Sequence, residues 1–203
     1  DIINFCFCQL IEHRQTKQSF TFFGCINVFS PEFSKFQPCR CSMKRNIMET
    51  NIISELTTFI EHAPTAFHAV AELKEILKQE GFEELKESEK WKIKPGKRYY
   101  VTRNNSSIIA VKAGKELDNY SFHVTASHSD SPAFKLKENA EIEVAKKYTV
   151  LNTEGYGGMI CQTWFDRPLS LAGRVMVKNG ERIETRLVKV DRDLLMIPSL
   201  AIH

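Results

Sequence analysis

No apolar run in these 203 residues approaches the length of a membrane-crossing helix, so no membrane span is expected. A block of basic residues is missing too: 28 lysines and arginines against 25 acidic residues leave a net charge of only +3, which gives no reason to expect a nucleic-acid surface. There is no C-x-x-C pair. Cysteine is scarce beyond the front of the chain, where Cys6, Cys8, Cys25, Cys39 and Cys41 crowd together and only Cys161 follows. Eight of the 14 phenylalanines share that segment. Cys39-Arg40-Cys41 could be read as a small zinc or disulfide module, but a C-x-C without a C-x-x-C or a paired histidine set fits neither common zinc pattern. Glu12, His13, Arg14 and Lys17 interrupt any apolar stretch, and no small-residue cleavage site follows, so a signal peptide is not expected. Residues 1–42 are therefore read as a disordered or spurious extension, such as an over-extended reading frame, with Met43 and Met48 lying just beyond it. With 42% hydrophobic and 26% charged residues, the chain has the composition of an ordinary soluble globular protein, and a cytoplasmic location is expected.

From Met48 the sequence becomes regular. Ile52, Ile53, Leu56, Phe59 and Ile60 recur at helical spacing until Pro64 breaks the pattern. Thr65 then caps a second helix whose apolar stripe is Phe67, Val70, Leu73 and Leu77, and Gly81 ends it. His68 lies among apolar neighbours there and is expected to be a packed, hydrogen-bonded core residue. Next the period changes to two. KRYYVTRN and SSIIAVKAG read as strands joined through Asn104-Asn105, and SFHVTAS as a third. Beyond Pro132 no long helix is expected. KYTVLNT, LSLAGRVMVK and ERIETRLVKV read as strands, and Asn179-Gly180 signals a type I′ hairpin between the last two. This shift of class places a domain boundary near Ser131.

At that boundary stands His128-Ser129-Asp130. Neutral imidazole is a ready zinc ligand, and a carboxylate on its second nitrogen fixes the tautomer and raises basicity. In an extended H-x-D the two side chains point to the same side. The spacing by itself fits an ordinary polar turn as well as a metal site. His62, His68 and His123 have no matching carboxylate pattern. Gly155-Tyr156-Gly157-Gly158 lacks the order of a phosphate-binding loop. In Trp164-Phe165-Asp166-Arg167 the adjacent opposite charges are read as a structural ion pair rather than a substrate contact.

Several long segments together resemble the aspartyl aminopeptidase family of dinuclear zinc exopeptidases: APTAFHAVAELKEILKQEGFEELKESEKWKIKPGKRYYVTRN, ASHSDSPAFKLK, GYGGMICQTWFDRPLSLAGRVMVKNG and LMIPSLAIH. The resemblance runs from about Met48 to His203 and leaves residues 1–42 unmatched, as well as the stretch between Lys137 and Lys147. It implies an α/β fold: residues 43–131 as the amino-terminal part of a zinc-peptidase catalytic domain, interrupted by a β-rich oligomerisation domain that begins at 132 and is incomplete at 203. It implies that His128 is a metal ligand, that Asp130 orients it, and that His203 contacts substrate in a neighbouring subunit's site. Two zinc ions per complete site, peptide substrates with N-terminal Asp or Glu favoured, and a homo-oligomer are implied as well. The other metal ligands and the glutamate base lie further on in family members. No catalytic base is therefore assigned within this chain, which is expected to be an amino-terminal fragment inactive alone. Two alternatives from other classes are a non-catalytic β-rich assembly module and a cysteine-rich metal-binding protein.

Overall fold

A computed structural model describes residues 3–12, 45–117 and 121–200. Helix α1 (Arg45–His62) and helix α2 (Ala66–Gln79) follow the expected pattern. Thr65 is the N-cap of α2: its backbone is extended and its hydroxyl accepts from the His68 N–H. At the other end Gly81 takes a left-handed φ of 77°, which lets the Phe82 N–H return to Leu77 O at 2.9 Å. Phe67 and Val70 of the stripe are buried. Ile52, Ile53 and Leu56 of α1 instead stand exposed among the described residues.

Strand β2 (Glu83–Leu85) runs parallel to β3 (Arg98–Arg103), which pairs antiparallel with β4 (Ser107–Lys112). Asn104 and Asn105 both have positive φ, and the Ser106 N–H closes the turn on Arg103 O, so the expected turn chemistry is used. Tyr99 and Tyr100 of β3 are buried, one on each face of the strand, while SFHVTAS forms no strand. Its alternation is strand-like, but no described segment pairs with it, and Phe122 and Val124 are exposed.

Beyond Pro132 come β5 (Ala133–Val144), β6 (Tyr148–Tyr156), a short 3-10 turn (Cys161–Trp164), β7 (Leu169–Asn179) and β8 (Arg182–Lys189). The β7–β8 hairpin forms where it is expected, although its turn differs. Asn179 pairs with Arg182, so the loop is Gly180-Glu181, with glycine at the first central position as a type II′ turn requires. Buried Leu169, Ala172 and Val175 make β7 the spine of this sheet.

The fifth strand corrects an expectation. Ile3–Glu12, inside the segment read as an extension outside the fold, is strand β1, and the sheet order is β6-β5-β1-β7-β8. It pairs with β7 from Ile3↔Val177 to Glu12↔Leu169, with a bulge between Phe5 and Cys8, and meets β5 at Gln9↔Lys135. The physical reason is an open edge: β7 would otherwise leave one ladder of N–H and C=O groups unpaired, and INFCFCQLIE is rich in strand-forming residues. The rest of that segment, with Cys25, Cys39 and Cys41, lies outside the described residues.

Among the described residues, Arg174 and Lys189 of the five-stranded sheet reach the helices. Arg174 lies over the Phe67 ring at 4.2 Å and donates from Nη1 to Asn104 O and Oδ1 at 3.1 and 2.9 Å. Lys189 donates to Glu61 O near the end of α1 at 2.7 Å. His68 is buried, with its Nδ1 2.8 Å from Thr65 Oγ1, as a core histidine should be. Burial, and to a lesser degree the Lys189 charge, hold its pKa below the usual imidazole value. The unfolded chain therefore binds this proton at a higher pH than the folded one. The stability due to neutral His68 is complete above about pH 6.5 and is lost as pH falls toward the lower folded value. Urea midpoints measured at falling pH should drop more steeply for the wild type than for His68→Gln, by at most about one proton's worth, 1.4 kcal/mol per pH unit. Parallel profiles for the two proteins would refute this role for His68.

Candidate metal centre

The segment from residue 121 to Pro132 leads into β5, and the structure places the H-x-D residues on it side by side. His128 Nδ1 lies 2.8 Å from the backbone carbonyl of Asp130 and 3.2 Å from its Oδ1. The other carboxylate oxygen, Oδ2, accepts a 2.6 Å hydrogen bond from the Tyr156 hydroxyl. That hydroxyl holds the Asp130 carboxyl below its usual range, helped by backbone hydrogen bonding and by His128 and opposed by partial burial. The same contact pushes the Tyr156 hydroxyl up.

A chemical consequence follows from the two acceptors. An ionised Asp130 can only accept, and so can its carbonyl, so whenever the His128 ring carries a single proton that proton belongs on Nδ1. The lone pair then sits on Nε2, on a ring whose side chain is 64% exposed. This is the arrangement in which a histidine can meet a zinc ion while a carboxylate steadies it from behind.

Neighbouring contacts hold the loop itself. Ser129 Oγ donates to Ser106 O at 3.1 Å, tying the loop to the β3–β4 turn. On the other side Tyr156 lies opposite Ala133 in the β5–β6 ladder. Gly157 follows with a left-handed φ of 75° beside Pro132, where a side chain would be strained.

His128 and Asp130 fit a metal as one ligand and its orienting group, but they are not a complete site. Among the described residues no group of three His, Cys, Asp or Glu converges on one point. His62 faces Glu72 at 3.6 Å, His68 is buried against Thr65, and His123 is an exposed residue of the unpaired segment. A catalytic zinc shell needs about three protein ligands and a water.

His203 lies outside the described residues, but the chain leading to it is held in a defined way. Asp166, at a left-handed φ of 55°, accepts from the Ser199 N–H at 2.9 Å and from the Ser199 hydroxyl, and its own N–H donates to Ile197 O at 2.9 Å. The expected pairing of Asp166 with the adjacent arginine is thus corrected: the carboxylate secures a segment 33 residues away. A backbone N–H and a hydroxyl of one residue converge on it in the geometry of a two-point clamp. Leu195 and Ile197 make isolated bridges to Leu169 and Phe165, and Leu200 is exposed.

Sequence reasoning missed Tyr156, whose Gly-rich surroundings drew attention only as a rejected phosphate cradle. It missed Ser199 as well. Neither has a local signal, because each partner is distant in the chain.

Comparison with known proteins bears on the whole of this region. The profile of the family described as aminopeptidase I zinc metalloprotease (M18) matches residues 59–203. A probable M18 family aminopeptidase 2 of Clostridium novyi is 49% identical over 165 residues, covering 79% of this chain and 37% of the relative. An aspartyl aminopeptidase of Dictyostelium discoideum is 44% identical over 151 residues, 73% of this chain and 31% of its own length. Among solved structures, the S. cerevisiae mApe1 dodecamer superposes with a TM-score of 0.64 at 28% identity, over 75% of this chain and 36% of that one. The chain thus spans about a third of the length of the relatives it matches. With the family profile matched from Phe59 through the H-x-D loop, the Asp166 clamp and LAIH, this chain belongs to the M18 family of zinc metalloproteases.

Proposed function

We propose that this chain contributes part of the active site of a zinc aminopeptidase that removes N-terminal residues, Asp or Glu preferred, from peptides, and that it works in a homo-oligomer. The single observation that carries the reading is the His128–Asp130 pair: Nδ1 is held by a carbonyl and a carboxylate, and Nε2 is left to an outside ligand. Zinc, when bound, supplies Lewis acidity and a bound water of lowered pKa, two ions to a complete site. His128 contributes one ligand, and Asp130 fixes the ring's tautomer and orientation. His203, four residues after the Ser199 that Asp166 holds, serves as a polar contact to substrate in the adjacent subunit. The preference for acidic residues follows the aspartyl aminopeptidase relative, and assembly follows the dodecameric one.

A second role, assembly through the β-rich part, is favoured by apolar side chains left exposed on its strands: Ile142, Tyr148, Val150, Ile183 and Leu187. The two readings are compatible.

The purified 203-residue chain is expected to show no turnover of aspartyl or glutamyl chromogenic substrates with added zinc, cobalt or manganese. It should also bind zinc only weakly, because a single histidine leaves the other positions of the ion to water. Turnover that survives His128→Ala would overturn the ligand assignment. An inactive chain that assembles through its exposed strands, and in which zinc never reaches His128, would leave the assembly module as the function.

A further inference from the structure

We propose that Tyr156 is a positioning residue for the candidate metal ligand: by donating its hydroxyl to Asp130 Oδ2, it holds the carboxylate in the rotamer that keeps the His128 proton on Nδ1 and the Nε2 lone pair turned outward. The inference about the imidazole stands on the hydrogen-bond geometry, and its extension to zinc rests on the proposed ligand role of His128.

Three features of the fold converge on this contact. Asp130 uses both oxygens, Oδ1 toward His128 and Oδ2 toward Tyr156 at 2.6 Å, so the hydroxyl and the imidazole act on opposite ends of one carboxylate. A carboxylate held at one end alone can turn about its last torsion, which is broad and soft. Held at both ends it cannot. Next, Tyr156 is 39% exposed, so it is not locked in a closed core. The backbone places it. Tyr156 ends β6 directly opposite Ala133, three residues after Asp130, and the left-handed Gly157 turns the chain against Pro132. The hydroxyl is thereby delivered by the β5–β6 hairpin. Finally, Ser129 is tied from the other side to Ser106 O, on the turn between β3 and β4. The loop that carries His128 is thus gripped between the two sheets, and Tyr156 is the part of that grip contributed by the five-stranded sheet. Metal-site geometry and the integrity of the β-rich part become linked through one phenol.

The experiment uses the 203-residue chain with its histidine rings labelled with 15N. Long-range 15N–1H spectra are recorded well above the imidazole pKa, and the His128 resonances are assigned with His128→Gln. Wild-type His128 should be mainly the Nδ1–H tautomer. Tyr156→Phe, which keeps the ring and removes only the donor, should lower the Nδ1–H to Nε2–H ratio at least about twofold. Zinc alone is then titrated in. The concentration that half-saturates the Nε2 response should rise roughly three- to tenfold in Tyr156→Phe, and at least as much in Asp130→Asn. A Tyr156→Phe chain with wild-type tautomer ratio and zinc response, while Asp130→Asn changes both, would overturn the role of Tyr156. So would a wild-type His128 that is mainly Nε2–H, a result that needs no variant to fold. A wild-type His128 indifferent to zinc would overturn the ligand assignment instead, with the tautomer comparison still deciding on Tyr156.

Discussion

His203→Ala, made in a form of this protein that carries a full set of metal ligands, is expected to lower turnover roughly a hundredfold while each subunit keeps its zinc, the effect of removing one polar group that stabilises developing charge. The expectation begins with the segment before His203. Asp166 clamps Ser199 through its N–H and its hydroxyl, and Pro198 beside it removes a donor and stiffens the chain. Leu200, the last described residue, stands 90% exposed. The proposed contact of His203 with another subunit is what the substitution tests. Complementation separates that contact from an ordinary surface role. When His203→Ala and His128→Ala subunits are mixed in equal amounts, a working site needs its own His128 and a neighbour's His203, so about a quarter of the sites should recover under random assembly. Verified mixed oligomers of well-folded variants that regain no activity would show that His203 acts within its own subunit or not at all.

Arg174→Ala should be the most damaging of the polar substitutions for stability, at roughly 2 kcal/mol, since it removes a cation–π contact and two charge-assisted hydrogen bonds at once. The guanidinium of this β7 residue covers the Phe67 ring of α2 and donates to Asn104 in the β3–β4 turn, so one side chain joins three elements. Its hydrogen bonds are partly open to solvent, which is why the figure stays well below that of a buried ion pair. Arg174→Lys should recover only part of the loss, because an ammonium lacks the planar fork that stacks on Phe67 while donating to Asn104. Urea unfolding followed by far-ultraviolet circular dichroism checks this, read as the shift of midpoint at constant m. An Arg174→Ala midpoint within about 0.5 kcal/mol of wild type would show that the two sheets are held together by other contacts.

Where the sequence was legible, the determining physics was local. Thr65 and Gly81 bound α2 because capping needs only the residues at the ends of a helix. Asn104-Asn105 make their turn because asparagine tolerates positive φ. The β5–β6 turn escaped notice for the opposite reason: Ala145 and Lys146 hold the same left-handed conformation without any turn-forming residue type, so the ladder on either side must impose it. Strand β5 gives a broken signal: Phe134 and Leu136, then Ile142 and Val144, alternate on either side of its bulge. SFHVTAS failed in the other direction. Its alternation is genuine, but a strand exists only if another strand completes its hydrogen bonds, and no described segment does so.

By itself the sequence determined the helices and their caps, the strand-rich character beyond Pro132, the burial of His68, and the H-x-D spacing that brings an imidazole within reach of a carboxylate two residues on. Each depends on groups a few residues apart, where the period of the backbone settles who meets whom. Tertiary structure alone decided the rest. It decided that Ile3–Glu12 fills the edge of β7, that Asp166 holds Ser199 rather than its neighbouring arginine, and that Asp130 receives a hydroxyl from Tyr156. Those contacts span from 26 residues to well over a hundred, and which of many possible donors reaches a given acceptor over such a span is set by strand register and sheet order, quantities that no local pattern encodes.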